Sequence, residues 1–133
     1  MAVATYHRDR DGIDLVRLDV ASADAVAQAV RAVLGARTSI GYPTLEVRRE
    51  DGSSLSLSTD GRRALLVHVD ADGRSYSSVG EAPDGEVFVF DYRGSWSEAS
   101  GANTVGLTVA VRALAQFVEG GVVAPDLVAF EPD

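Results

Sequence analysis

The chain has 133 residues, of which 46% are hydrophobic and 24% charged, and it has no cysteine. That length and composition fit one domain over residues 1–133 with a buried core, and they exclude disulfide staples, thiolate metal sites and cysteine nucleophiles. Twenty acidic against twelve basic residues leave a formal charge of −8, which argues against nucleic acid as a ligand because phosphate backbones are bound by clustered cations.

The N-terminal stretch to Gly12 is broken by His7, Arg8, Asp9, Arg10 and Asp11 and lacks the apolar run of a secretory signal. No segment approaches the roughly 18 apolar residues of a membrane helix. A cytoplasmic chain without a membrane partner is expected.

Val3 to Arg8 and Ile13 to Val20 read as two strands joined by a turn at Asp9–Gly12. Ser22 reads as the N-cap of a first helix, with Val26, Val30, Val33 and Leu34 on one face. Gly35 should stop it in the left-handed conformation that glycine adopts without steric cost.

The middle of the chain alternates short strand patterns with glycine turns: Thr44 to Glu50, Ser53 to Thr59, Ala64 to Asp70, Arg74 to Val79 and Glu86 to Tyr92. The intervening Asp-Gly pairs tolerate the positive φ of hairpin turns, so the pattern predicts an antiparallel meander. In Ser53 to Thr59, Leu55 and Leu57 should face the core and Ser54, Ser56 and Ser58 the water. Val87-Phe88-Val89-Phe90 is apolar on both faces, as a central strand would be.

Beyond a loop around Trp96, Asn103 or Thr104 should cap a second helix, in which Leu107, Val111, Leu114 and Val118 repeat at helical spacing and which ends at Gly120-Gly121. A strand over Leu127 to Phe130 closes the chain. The fold class expected is therefore α+β: an antiparallel meander sheet of about six to seven strands with two helices packed against it.

Templates for chemistry fail along this chain. The two histidines, His7 and His68, sit in no catalytic motif, and His68 has the parity of the outer sheet face. Acids at the first, third and twelfth positions of Asp70 to Glu81 suggest a calcium loop, but Arg74 and Ser75 occupy the positions where a ligand and the bend-making glycine belong. A hairpin turn is the better reading. No phosphate-cradling loop or cofactor motif is present, so no cofactor, metal or catalytic residue is assigned.

Glu81, Asp84, Glu86, Asp91 and Glu98 crowd one stretch of sequence, interleaved with Tyr76, Tyr92 and Trp96. Acids in turns are usually a solvated rim, yet aromatics set among acids also suit an interface that receives arginines and lysines. These eight residues, with Asp72 in the neighbouring turn, are the candidate partner-binding set. Trp96 could instead plug the gap between sheet and second helix.

Three features in fixed order carry a resemblance: Gly73-Arg74-Ser75-Tyr76-Ser77-Ser78-Val79-Gly80, the strand Glu86 to Tyr92, and a close in which Gly94, Trp96 and Glu98 lead to Ala113-Leu114-Ala115-Gln116-Phe117, a glycine turn and Pro125. In this pattern the chain resembles immunity protein family one of bacterial polymorphic toxin systems. The resemblance implies a small cytoplasmic protein, not an enzyme, that binds a cognate toxin and blocks its active site, with nucleic-acid deaminase toxins among the implied partners. A basic substrate groove on such a toxin would suit an acidic inhibitor.

The alternative from another class is a small-ligand-binding or enzymatic domain with a pocket between sheet and second helix near His68, Tyr76, Tyr92 and Trp96. A structural subunit packing through a sheet edge is disfavoured by the charges on the strands. The oligomeric state is left open.

Overall fold

The computed structural model describes residues 2–8, 14–82 and 85–133. The alternation Ala2, Ala4, Tyr6 places small and aromatic side chains on one face of β1 (Ala2–His7), and β2 (Leu15–Val20) returns antiparallel to it. The turn expected at Asp9–Gly12 lies outside the described residues.

Helix α1 (Ala23–Leu34) begins where Ser22 Oγ accepts the Ala25 N–H at 3.2 Å, the N-cap expected of that serine. It buries Val26, Ala29, Val30 and Val33. Its end departs from expectation: Gly35 keeps a right-handed backbone (φ −85°, ψ −6°). The Ala36 N–H reaches Val33 O at 3.0 Å, so the chain leaves through a tightened helical turn and needs no reversal.

The meander follows as β3 (Leu45–Arg49), β4 (Ser54–Thr59), β5 (Arg63–Val69) and β6 (Ser75–Val79), each antiparallel to the one before. Its Asp-Gly turns close as predicted, with Gly52, Gly61 and Gly73 all at positive φ. Strand β1 pairs with β3, and the terminal β10 (Ala129–Pro132) pairs with β6, giving the order β10-β6-β5-β4-β3-β1-β2. A short β9 (Thr104–Gly106) joins β5 beside β6 to make eight strands in this sheet. The fold is the α+β class read from the sequence.

Two elements correct the sequence reading. The apolar run is not central: β7 (Val87–Tyr92) pairs with β8 (Ser95–Ser100), unforeseen from sequence, in a separate two-stranded sheet. Phe88 is buried and stacks on Phe90 at 5.8 Å, but Val87 is 64% exposed. Nor do Asn103 and Thr104 cap the second helix. Asn103 ends a 3-10 turn (Gly101–Asn103), Thr104 is strand, and α2 (Leu107–Gly120) starts at Gly106 without a side-chain cap. At its other end Gly121 is left-handed (φ 76°) and its N–H bonds Phe117 O at 2.8 Å, as the glycine pair implied.

Both helices cover one face of the large sheet. Leu45, Leu55, Leu57 and Leu66 meet Leu114 and Phe117 there with 1% exposure or less, and each such side chain contributes roughly 1.5–3 kcal/mol on burial. Arg49 points the same way and donates to Phe117 O and Val118 O at 2.8 and 2.7 Å, placing a cation at the negative end of α2.

The opposite face was expected to be wet along β4. It is not. Ser58 is 3% exposed and Ser54 is also buried, because the β7–β8 hairpin stands over them. Their hydroxyls are retained for bonding: Ser58 Oγ and Thr44 Oγ1 lie 2.7 Å apart, and Thr44 Oγ1 donates to Asp91 O at 2.7 Å.

Candidate functional site

The hairpin gathers most of the candidate residues. Its two-residue turn, Arg93-Gly94, has positive φ at both positions (53° and 84°), the geometry that matches strand twist in tight hairpins. Asp91 anchors the tip. It is 2% exposed, its Oδ2 accepts from Thr38 Oγ1 at 2.7 Å and its Oδ1 from the Gly94 N–H at 2.7 Å. A parallel bridge between Pro43 and Asp91 adds to this hold. Asp91 is therefore no part of an acidic rim: its Oδ2 fastens the hairpin to the loop before β3 and its Oδ1 closes the hairpin's own turn.

Register then sorts the remaining side chains. Val87, Val89, Asp91, Trp96 and Glu98 share one side of the hairpin, opposite Phe90, Tyr92 and Ser97, which face the large sheet. On that side Val87, Trp96 and Glu98 are exposed while Asp91 is held against the loop before β3. Trp96 is 63% exposed and its Nε1 donates to Glu98 Oε1 at 3.1 Å. The reading in which Trp96 plugs the gap between sheet and helix is thereby overturned. Tyr92, 43% exposed, lies at the tip with the Arg93 guanidinium 5.5 Å from its ring centre. Arg93 also reaches Glu46 at 3.6 Å.

Glu86 and Glu81 are exposed just before the hairpin. Asp84 lies outside the described residues. Asp72 and Tyr76 belong elsewhere. Asp72 is exposed in the β5–β6 turn, where Asp70 Oδ1 accepts the backbone N–H groups of both Asp72 and Arg74 at 2.9 Å. Those bonds, Arg74's foremost, hold the Asp70 carboxyl below the usual carboxylate range. They also confirm a hairpin turn in place of a calcium loop.

Tyr76 lies across from His68 on the helix-covered face, the rings stacked at 6.0 Å. His68 was expected on the outer face but sits edge-on to Phe117 of α2 at 5.7 Å. Burial there pushes its pKa below the ordinary histidine value, against the opposing pull of Asp70 and Asp51. Tyr76 and His68 are thus separated by the sheet from Tyr92 and Trp96, so the four do not face a common space between sheet and second helix. A cavity of about 380 Å³ lies on the other face instead, between Ser56, Val67 and Val69 of the sheet and Phe90, Tyr92 and Ser97 of the hairpin.

The segment Gly73 to Gly80 holds the sheet at a branch. Strand β5 pairs with β6 through residues 67–69 and with β9 through residues 63–65, leaving Leu66 between them. Ser78, fully buried, fills the gap: its Oγ accepts the Leu66 N–H at 3.0 Å and donates to Asn103 O at 2.6 Å. At Gly80 the start of β9 comes so close that a Cβ would lie 1.7 Å from Thr104 O.

Sequence reasoning missed Val87 and β8. The signal was there in an Arg-Gly pair flanked by two six-residue segments, but arginine is an unusual occupant of a positive-φ turn position.

A helix-backed antiparallel sheet carrying an exposed two-stranded hairpin defines an α+β protein. Within that class the chain belongs to the immunity protein family Imm1, whose model matches residues 15–132. Membership supports a toxin-neutralising immunity role and implies a cognate toxin as binding partner. Strand β1 precedes the matched residues yet lies between β2 and β3 in the sheet. No curated protein matches the chain. No helix among the described residues is long and apolar enough to cross a membrane.

Proposed function

We propose that the chain is a cytoplasmic, single-domain inhibitor that occludes the active site of a nucleic-acid-targeting, deaminase-type toxin, docking through the outward side of the β7–β8 hairpin. The observation that carries this reading is Trp96: a large aromatic 63% exposed on a pinned hairpin, bonded to Glu98 and on the same side as exposed Val87. Interface energy concentrates in such anchors, and tryptophan is prominent among them. Glu98 supplies a negative charge beside it, and the exposed Glu81 and Glu86 stand before the hairpin, in keeping with a net charge of −8.

Enzymes that act on nucleic acid bind it through cationic grooves. An exposed aromatic on a hairpin of a chain with net charge −8 fits such a groove by shape and overall charge and needs no covalent step. Charge complementarity of this kind chiefly accelerates association and selects the partner.

The test is binding of the toxin encoded beside this gene. Trp96→Ala should raise Kd roughly 30-fold, the equivalent of about 2 kcal/mol, and leave the thermal midpoint unchanged because the ring is exposed. An unaltered Kd would put the interface elsewhere.

A further inference from the structure

The large sheet has two edges, and among the described residues only one is protected. At one side β10 is four residues long and ends on Pro132, which lacks an N–H. At the other side β2 offers six residues without proline and in unbroken register with β1.

The direction of its backbone groups follows from the hydrogen bonds. The Arg8 N–H bonds Asp14 O at 2.9 Å, so that pair is a hydrogen-bonded one, and alternation assigns Val16, Leu18 and Val20 to β1. The N–H and C=O groups of Leu15, Arg17 and Asp19 then point out of the sheet. The same alternation carries through the sheet, where the Arg49 N–H bonds Ser53 O and leaves Glu46 and Arg48 to face β1. The side chains of Leu15, Arg17 and Asp19 are exposed, and neither Arg17 nor Asp19 takes an ion-pair partner among the described residues.

We infer that β2 pairs antiparallel with β2 of a second copy about a two-fold axis through Leu18, which sets Arg17 opposite Asp19 of the second copy and Asp19 opposite its Arg17. Outward-facing residues must pair with each other, which limits the registers. Moving the axis to Arg17 sets arginine against arginine, and moving it to Asp19 sets aspartate against aspartate; like charges directly opposite destabilise a ladder. Centring it on Val16 or Val20 forfeits much of the overlap. The Leu18 register uses nearly the whole strand and brings two copies of Leu18 together at the closer cross-strand spacing, with Val16 opposite Val20. The charges on this edge therefore select a register and do not merely guard against pairing.

The experiment is sedimentation equilibrium of the full chain at about 0.1 mM, a concentration that populates even a modest interface. The expected species is a dimer of twice the 14.0 kDa chain. Arg17→Asp and Asp19→Arg should each raise the dimer dissociation constant roughly tenfold or more, and the double exchange should restore it, since opposite charges again face each other. Circular dichroism melts check that all three remain folded. A monomeric wild-type chain overturns the inference. So does a dimer insensitive to the single exchanges, or β2 amides that gain exchange protection only when toxin is added.

Discussion

At Gly80 the side chain matters by its absence. A Cβ there would fall 1.7 Å from the carbonyl oxygen and 2.6 Å from the carbonyl carbon of Thr104, and backbone cannot yield without disturbing the 2.7 Å bond from the Gly80 N–H to Ala102 O. Gly80→Ala should cost about 1–3 kcal/mol or more, read as a lower denaturant midpoint. Gly120→Ala, where a Cβ meets nothing within 4 Å, is the control. Equal midpoints for the two variants would contradict this account. Gly73 and Gly80 bracket one motif in the sequence but differ in how far they could be read. The positive φ of Gly73 is local turn chemistry, legible from the aspartate before it. The need at Gly80 arises from a segment more than twenty residues later in the chain, as does the bond from Ser78 to Asn103.

At the scale of elements, the meander and both helices were legible because each buries a periodic face; the terminal strand, expected at Leu127 to Phe130, forms at Ala129–Pro132 and is largely exposed. The hairpin was not legible. Val87-Phe88-Val89-Phe90 carries the apolarity of a central strand, but periodicity does not reveal which strand a segment pairs with, and here it pairs with β8. Asp91 shows the same limit: read as one acid among several, it is a buried anchor. Asp91→Ala removes the acceptor of the Gly94 N–H and the shorter of two acceptors of Thr38 Oγ1, which keeps Gly41 O at 3.3 Å, a loss of about 1–3 kcal/mol. Native-state hydrogen exchange should then quicken in β7 and β8 while β4 and β5 stay protected. Uniform quickening would mean the hairpin is integral to the core, and no change would mean Asp91 does not pin it.

For the whole molecule, the claim is that a stiff, negatively charged scaffold presents an aromatic hairpin and works by occupying its partner. The sequence carried the negative charge, the aromatics and the family pattern; their division between two sides of the sheet awaited the fold. Inhibition by occupation consumes one chain for each toxin molecule. Titrating the purified cognate toxin's nucleic-acid activity with this chain is therefore the most direct test. The account expects a linear loss of activity ending at one chain per toxin, recovered when the complex is separated. Inactivation by substoichiometric amounts, or a toxin left altered after separation, would contradict it.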